Sequence, residues 1–160
     1  MAQLQKLKEK WILEGVNKFF PIDIDALEKF QDDNDVNLPN DFKEYFKLLN
    51  GTSGECTDEL YEFYSVDRIK RLPDEFNDWK GIPNYQALLG FEEVRDLFVF
   101  ANYSFNLFAY AIRLSHEKLE RNEVYVLCGE EYKKVSNSFT EFLDLYLNDS
   151  IELQLNKEIE

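Results

Sequence analysis

Two apolar runs constrain the fold more than any other feature of the chain. LFVFA, Leu97 to Ala101, and LFAYAI, Leu107 to Ile112, are apolar at successive positions. A strand points alternate side chains to opposite faces, so either run would present apolar groups on both. Strands of that kind are stable when both faces are covered. The intervening NYSFN fits a hairpin turn of five residues. VYVLC, Val124 to Cys128, reads as a further strand, and Gly129-Glu130-Glu131 turns the chain into another at Tyr132 to Val135.

The segments before and after these strands carry helical periodicity. Leu4, Leu7, Trp11, Ile12 and Val16 suit an amphipathic helix from about Gln3 to Lys18, ended by Phe19-Phe20-Pro21. Asp23 or Asp25 can cap a short second helix with Ile24, Leu27 and Phe30 on one face. The polar run QDDNDVN reads as a loop. LPNDFKEYFKLLNG, Leu38 to Gly51, then combines every helix signal: Pro39 in the first turn, Asp41 and Glu44 near the start and Lys47 near the end. Phe42, Tyr45, Phe46 and Leu49 form its apolar face, and Asn50-Gly51 supplies a left-handed stop. Leu60 to Tyr64 reads as a strand, Ser65 to Leu72 as a turn or short helix, and residues 73–95, with Pro73, Pro83, Gly81 and Gly90, as mostly loop. Ser138-Phe-Thr-Glu141 matches a capping box opening a last helix faced by Phe139, Phe142, Leu143, Tyr146 and Leu147. Helices, then antiparallel strands, then a helix describe an α+β arrangement. A length of 160 residues suits one domain, 1–160.

Charge narrows the partners. The chain holds 32 acidic and 18 basic residues, a net charge of −14, which repels nucleic acid and anionic membranes and attracts a basic protein. Solubility alone is the plainer account. The distribution is uneven: residues 1–20 carry a net of +2 and residues 21–62 a net of −9, making the second stretch the leading contact surface. Cys56 and Cys128 show no metal or redox spacing and suit free thiols in a reducing compartment. The first 20 residues lack an apolar core stretch and no run is long enough to span a bilayer, so a cytoplasmic location is expected.

No catalytic motif stands out. His116, the single histidine, lies in the polar stretch SHEKLERNE and reads as a solvated loop residue. One His and two distant Cys make no structural zinc site, and no cofactor or metal is expected. Asp33, Asp35, Asn37, Asp41 and Glu44 fall at positions 1, 3, 5, 9 and 12 of a calcium-loop frame, but Leu38 stands where that frame needs glycine. Glu55, Asp58, Glu59 and Glu62 form a second acidic group, able to do acid–base work only if buried. Among the aromatics, Phe42, Tyr45 and Phe46 suit the core, while Tyr61, Tyr64, Tyr103 and Phe105 are open to either role and NYSFN favours exposure.

The order Leu27-Glu28-Lys29-Phe30, then Leu38, Pro39, Phe42, Phe46, Asn50 and Gly51, then FVFANYSFNLFAYAI and VYVLCGEEYKKVSNSFTEFLDLYL resembles the SUKH superfamily, which includes fungal cell-wall assembly regulators and bacterial toxin-immunity proteins. The resemblance covers about residues 22–149 and leaves 1–20 as an extra N-terminal helix. It implies a central, mostly antiparallel sheet with helices around it, and a family-motif role for Glu28, Leu38, Pro39, Phe42, Phe46, Asn50 and Gly51. It also implies binding without catalysis: an immunity protein that neutralises a basic, nuclease-type toxin domain, or a regulatory scaffold module with several partners. An enzyme using the acidic groups is the third reading. On the immunity reading, Asp32, Asp33, Asp35, Glu55, Asp58, Glu59 and Glu62, with Tyr103 and Phe105, form the expected contact surface.

Overall fold

The computed structural model describes residues 2–155. The elements run α1 (Ala2–Leu13), α2 (Ile24–Asn34), α3 (Asn40–Leu48), β1 (Tyr61–Phe63), β2 (Lys70–Arg71), α4 (Leu72–Phe76), β3 (Leu97–Tyr103), β4 (Phe108–Arg113), β5 (Val124–Cys128), β6 (Glu131–Ser136) and α5 (Phe139–Leu147). Short 3-10 helices lie at Val66–Arg68, Tyr85–Gly90, Glu92–Val94 and Ile151–Leu153. The strands form one antiparallel sheet in the order β1-β3-β4-β5-β6, with β2 also on β3. The fold is α+β, as the order of patterns indicated.

Both faces of the sheet are covered, which explains the doubly apolar runs. On one face Phe98 meets Phe30 of α2, and Phe100 meets Phe42 of α3 and Phe139 and Phe142 of α5. The α1 helix lies outside α5, buries Leu4, Leu7 and Trp11, and donates from Trp11 Nε1 to the Tyr146 hydroxyl at 3.0 Å. The second cover comes from residues 72–94, nearly all of them within the stretch 73–95 expected to be mostly loop. They contain α4 and two 3-10 helices and bury Leu72, Phe76, Tyr85, Leu88 and Val94. Phe76 stacks on Tyr85 at 4.3 Å, and the Tyr85 hydroxyl lies 3.2 Å from the Leu127 carbonyl of β5. Short turns at prolines and glycines do not give the helical period, so this layer escaped sequence reading.

The first helix is shorter than the expected Gln3 to Lys18. It stops at Leu13, and Gly15 turns the chain with φ +94. Val16 still packs in the core, from the segment that follows this turn. Asp23 caps α2 through the Ala26 amide at 3.0 Å, and Ser138 caps α5 through the Glu141 amide at 3.1 Å. The Glu141 carboxylate returns to the Asn137 amide at 2.9 Å, one residue earlier than in the usual box. Asp41 ties two helix starts together by accepting from the amide and hydroxyl of Thr140 at 2.9 and 2.8 Å.

Behind α3 the chain makes its most constrained turn. Asn50 is left-handed with φ 57 and buried, and its carboxamide donates to the Phe20 carbonyl at 2.9 Å and accepts from the Val66 amide at 2.9 Å. Gly51 has φ +81, and a Cβ there would lie 2.5 Å from the Phe63 carbonyl. The Thr52 hydroxyl donates to the Glu55 carbonyl at 2.6 Å and accepts from the Phe63 amide at 3.1 Å. Losing the Asn50 carboxamide leaves the buried Val66 amide and the part-buried Phe20 carbonyl unpaired. Asn50→Ala is therefore expected to lower the unfolding free energy by about 2–3 kcal/mol. Urea unfolding measures it, and a loss under about 0.5 kcal/mol would show that the turn carries no such weight.

Candidate functional site

The most unusual backbone in the described residues is the turn between β3 and β4. Ser104, Phe105 and Asn106 are consecutively left-handed, with φ of 51, 54 and 69, and none is glycine. A side chain in this region crowds the following carbonyl at about 1 kcal/mol or more per residue, less for asparagine. Surrounding groups hold the turn. The Ser104 amide donates to the Leu60 carbonyl at 2.8 Å, and the Tyr85 hydroxyl donates to the Asn106 carbonyl at 2.8 Å. The Asn106 amide donates to Asn102 Oδ1 at 3.4 Å, and buried Asn102 donates to the Tyr64 hydroxyl at 2.8 Å. Phe105 thus stands at the tip with 76% of its surface exposed. Leu107 and Leu60, itself left-handed with φ 72, are exposed beside it.

The acidic loop before β1 borders this turn. Thr57 shapes it: its amide donates to the Tyr61 carbonyl at 2.8 Å, its carbonyl accepts from the Leu60 amide at 2.8 Å, and its hydroxyl accepts from the Tyr61 amide at 3.1 Å. The Asp58 amide donates to the Glu14 carbonyl at 2.9 Å, which joins the loop to the end of α1. Glu55, Asp58 and Glu59 are exposed. Glu62 lies within β1 opposite Asn102, and burial raises its carboxyl pKa above the ordinary 4.5. Lys10 stands 3.3 Å from Glu14, 3.8 Å from Glu59 and 3.7 Å from Asp149. Burial likewise raises Glu14, against the pull of Lys10. A groove of about 620 Å³ runs here between α1 and α5, lined by both charge signs. Burial and the Glu62 charge push the exposed Cys56 thiol up, so it stays protonated near neutral pH.

The structure divides the residues expected to form one contact surface. Asp58, Glu59, Glu62, Tyr103 and Phe105 lie toward the β3–β4 turn, because Tyr61 pairs with Tyr103, while Glu55 is bonded to Thr52 at the Phe63 end of β1. Asp32, Asp33 and Asp35 lie at the end of α2, where Asp35 bonds His116 at 2.7 Å and Asn37 bridges to Ser115. That place adjoins Arg113, the partner of Leu97 at the far end of β3. Six steps along a strand at about 3.3 Å each separate the two groups by roughly 20 Å. The residues of the calcium frame are dispersed as well: Asp33 pairs with Lys29, Asp35 with His116, Asp41 with Thr140 and Glu44 with Lys47.

The motif residues have structural surroundings. Leu38, Phe42 and Phe46 are buried, Pro39 is the extended residue ahead of α3, and Asn50-Gly51 make the turn described above. Glu28 is exposed on α2. Tyr61 and Tyr64 are buried, Tyr103 is half-buried, and only Phe105 of the four is open to solvent. Sequence reading missed Leu60, Tyr146 and Asp149 as members of this face. Asn148-Asp149-Ser150 was visible as a turn-forming cluster, but nothing local shows that it folds back beside Glu59.

Two outcomes follow from this geometry. Phe105→Gly relieves a left-handed side chain and removes no buried contact, so it is expected to stabilise the protein by up to about 1 kcal/mol, with Phe105→Ala giving no such gain. Urea midpoints compare the two, and equal midpoints would refute stored strain. For Glu62, a folded pKa above the unfolded one means protonation favours the folded state: the stabilisation is full below about pH 4.5 and is lost as pH rises through the folded value. Glu62→Gln is therefore expected to raise the unfolding midpoint at pH 7 and to change it little at pH 4.

Comparison with known proteins identifies the fold's lineage. No curated protein matches the chain. The family model described as the SMI1 / KNR4 family (SUKH-1) matches residues 21–145, from just before α2 to within α5. The match includes the LP…NG phrase, the turn it forms, the sheet and the capped start of α5, and it leaves α1 outside. With well over half of its length matched, the chain belongs to the SMI1 / KNR4 family (SUKH-1).

Proposed function

We propose that this protein is a non-catalytic binding domain that neutralises a toxin domain by contact, through the face at the β3–β4 turn and the adjoining acidic loop. The observation that carries the reading is the strained turn. It is costly to the isolated fold, it is held by three hydrogen bonds with Leu60, Tyr85 and Asn102, and it exposes a phenylalanine. Strain kept in this way is characteristic of functional sites. A large apolar side chain on a rigid support is also the usual form of an interface anchor, since little freedom is lost when it binds.

The charge indicates the partner's chemistry. Glu55, Asp58 and Glu59 are exposed on the loop that leads into Leu60, whose carbonyl holds the turn, and the whole chain carries −14. A basic surface is drawn to this face before contact, and a nuclease-type toxin carries such a surface for its phosphates. Membership of the family adds support, because an immunity role is known within the superfamily it resembles. The acids at the end of α2 act on this reading as a remote field that speeds encounter without contact.

Co-expression with a toxin domain encoded beside this chain is expected to restore growth, and Phe105→Ala is expected to abolish protection while leaving the fold intact by circular dichroism. Failure of the wild-type chain to protect would remove the toxin reading. With the purified pair, the association rate is expected to fall roughly tenfold between low and high salt, with dissociation much less affected. An association rate insensitive to salt would exclude the acidic face as the steering element.

A further inference from the structure

Beside the β3–β4 turn is a pocket of about 330 Å³ with an unusual lining. Three tyrosines, Tyr61, Tyr103 and Tyr146, form its aromatic walls, and Glu59 and Asp149 contribute carboxylates. The rings of Tyr61 and Tyr103 are 4.8 Å apart and tilted, and Tyr61 meets Tyr146 edge to face at 5.0 Å. Their support is rigid. Tyr146 accepts from Trp11 at its hydroxyl, and Tyr110 behind them donates to the Leu153 carbonyl at 2.9 Å, pinning the segment that forms the remaining wall. Asp149 is held in the left-handed region, φ 52, which directs the chain sharply back after α5.

The fold already places one cation at the edge of this arrangement. Lys10 Nζ lies 5.5 Å from the centre of the Tyr146 ring and between the carboxylates of Glu14, Glu59 and Asp149. Three carboxylates around one ammonium leave an excess of two negative charges. Lys10 lines the neighbouring groove toward α1 and is not among the residues lining the tyrosine pocket. The pocket therefore shares Glu59 and Asp149 with Lys10, which neutralises only part of their charge from the groove side. This combination attracts a cation twice, through the ring quadrupoles and through charge.

We propose that the pocket receives one arginine side chain of the protein partner. A guanidinium is planar, stacks on a tyrosine face and can offer parallel N–H groups to a carboxylate, whereas an ammonium ion is compact and more strongly hydrated. Seated here, the guanidinium lies along Tyr103 with its donors toward Glu59 and Asp149. Phe105 on the adjacent turn then covers the partner's neighbouring apolar surface, so the same face supplies an apolar anchor and a charged one. This inference rests on the binding role proposed for the face, and it adds the chemistry of a single partner residue.

The test uses a peptide in place of the partner. The protein is titrated with acetyl-Gly-Gly-Arg-Gly-Gly-amide while the tyrosine ring resonances are followed by NMR. Saturable shifts at Tyr61 and Tyr103 are expected. The citrulline peptide, of the same shape without the charge, and the lysine peptide are each expected to bind at least about threefold more weakly. Glu59→Gln and Asp149→Asn, both at exposed positions, are expected to weaken the arginine peptide by about three- to fivefold each. Lys10→Gln removes the competing cation and is expected to strengthen it, a sign that a merely structural role would not give. No saturable shift, equal binding of the citrulline or lysine peptide, or indifference to both carboxylate variants would each overturn the proposal. Binding of the arginine peptide without protection on co-expression would leave the pocket standing and remove the toxin reading. Full protection by the Glu59→Gln, Asp149→Asn double variant would do the reverse.

Discussion

The carboxamide of Asn50 joins three parts of the chain at one point. It binds the carbonyl of Phe20 ahead of α2, follows α3 directly, and caps the amide of Val66 beyond β1. Gly51 lets the Phe63 carbonyl approach to where a side chain would stand; the Thr52 amide then donates to that carbonyl and the Thr52 hydroxyl accepts from the Phe63 amide. The β1 strand has three residues, too few for its ladder alone to fix it on the sheet. Its position depends on this turn. Because β1 carries Tyr61 and Glu62 and is preceded by the acidic loop, the geometry of the proposed binding face depends on Asn50 as well, at a distance from it.

The parts of this fold legible in the sequence were those where local chemistry and tertiary packing agree. LPNDFKEYFKLLNG became α3 and its left-handed stop, SFTE became the cap of α5, and the doubly apolar runs became the two central strands. The parts that were not legible are set by contacts distant in sequence. Residues 72–94 cover the second face of the sheet through Phe76, Tyr85, Leu88 and Val94, with no periodic pattern to announce them. The NYSFN segment was readable as a turn, yet its first two residues extend β3, and the left-handed run falls on Ser104, Phe105 and Asn106. No propensity predicts phenylalanine in that conformation. Only the bonds from Leu60, Tyr85 and Asn102 account for it.

Charge reading was legible in sign and not in arrangement. The stretch 21–62 is strongly acidic, but the sheet separates its acids into two groups at opposite ends of β3. Folding also recruits acids from outside that stretch. Glu14 of the turn after α1 and Asp149 after α5 join Glu59 around Lys10, so the densest negative site combines residues from three separated segments.

Three features of the face at the β3–β4 turn work against the stability of the isolated chain. Ser104, Phe105 and Asn106 hold an unfavourable backbone, Phe105 and Leu60 expose apolar surface, and Glu14, Glu59 and Asp149 outnumber the one cation they share. Each could be relieved by a single substitution: glycine in the turn, a polar residue at its tip, or an amide for one carboxylate. A sequence whose other local signals agree so closely with its fold has no structural reason to keep all three at one place. A partner of the proposed kind would cover the phenylalanine and neutralise the excess charge, and it would find the turn already ordered. The coincidence of the three costs therefore argues for binding at this face more strongly than acidity or aromatic content could alone.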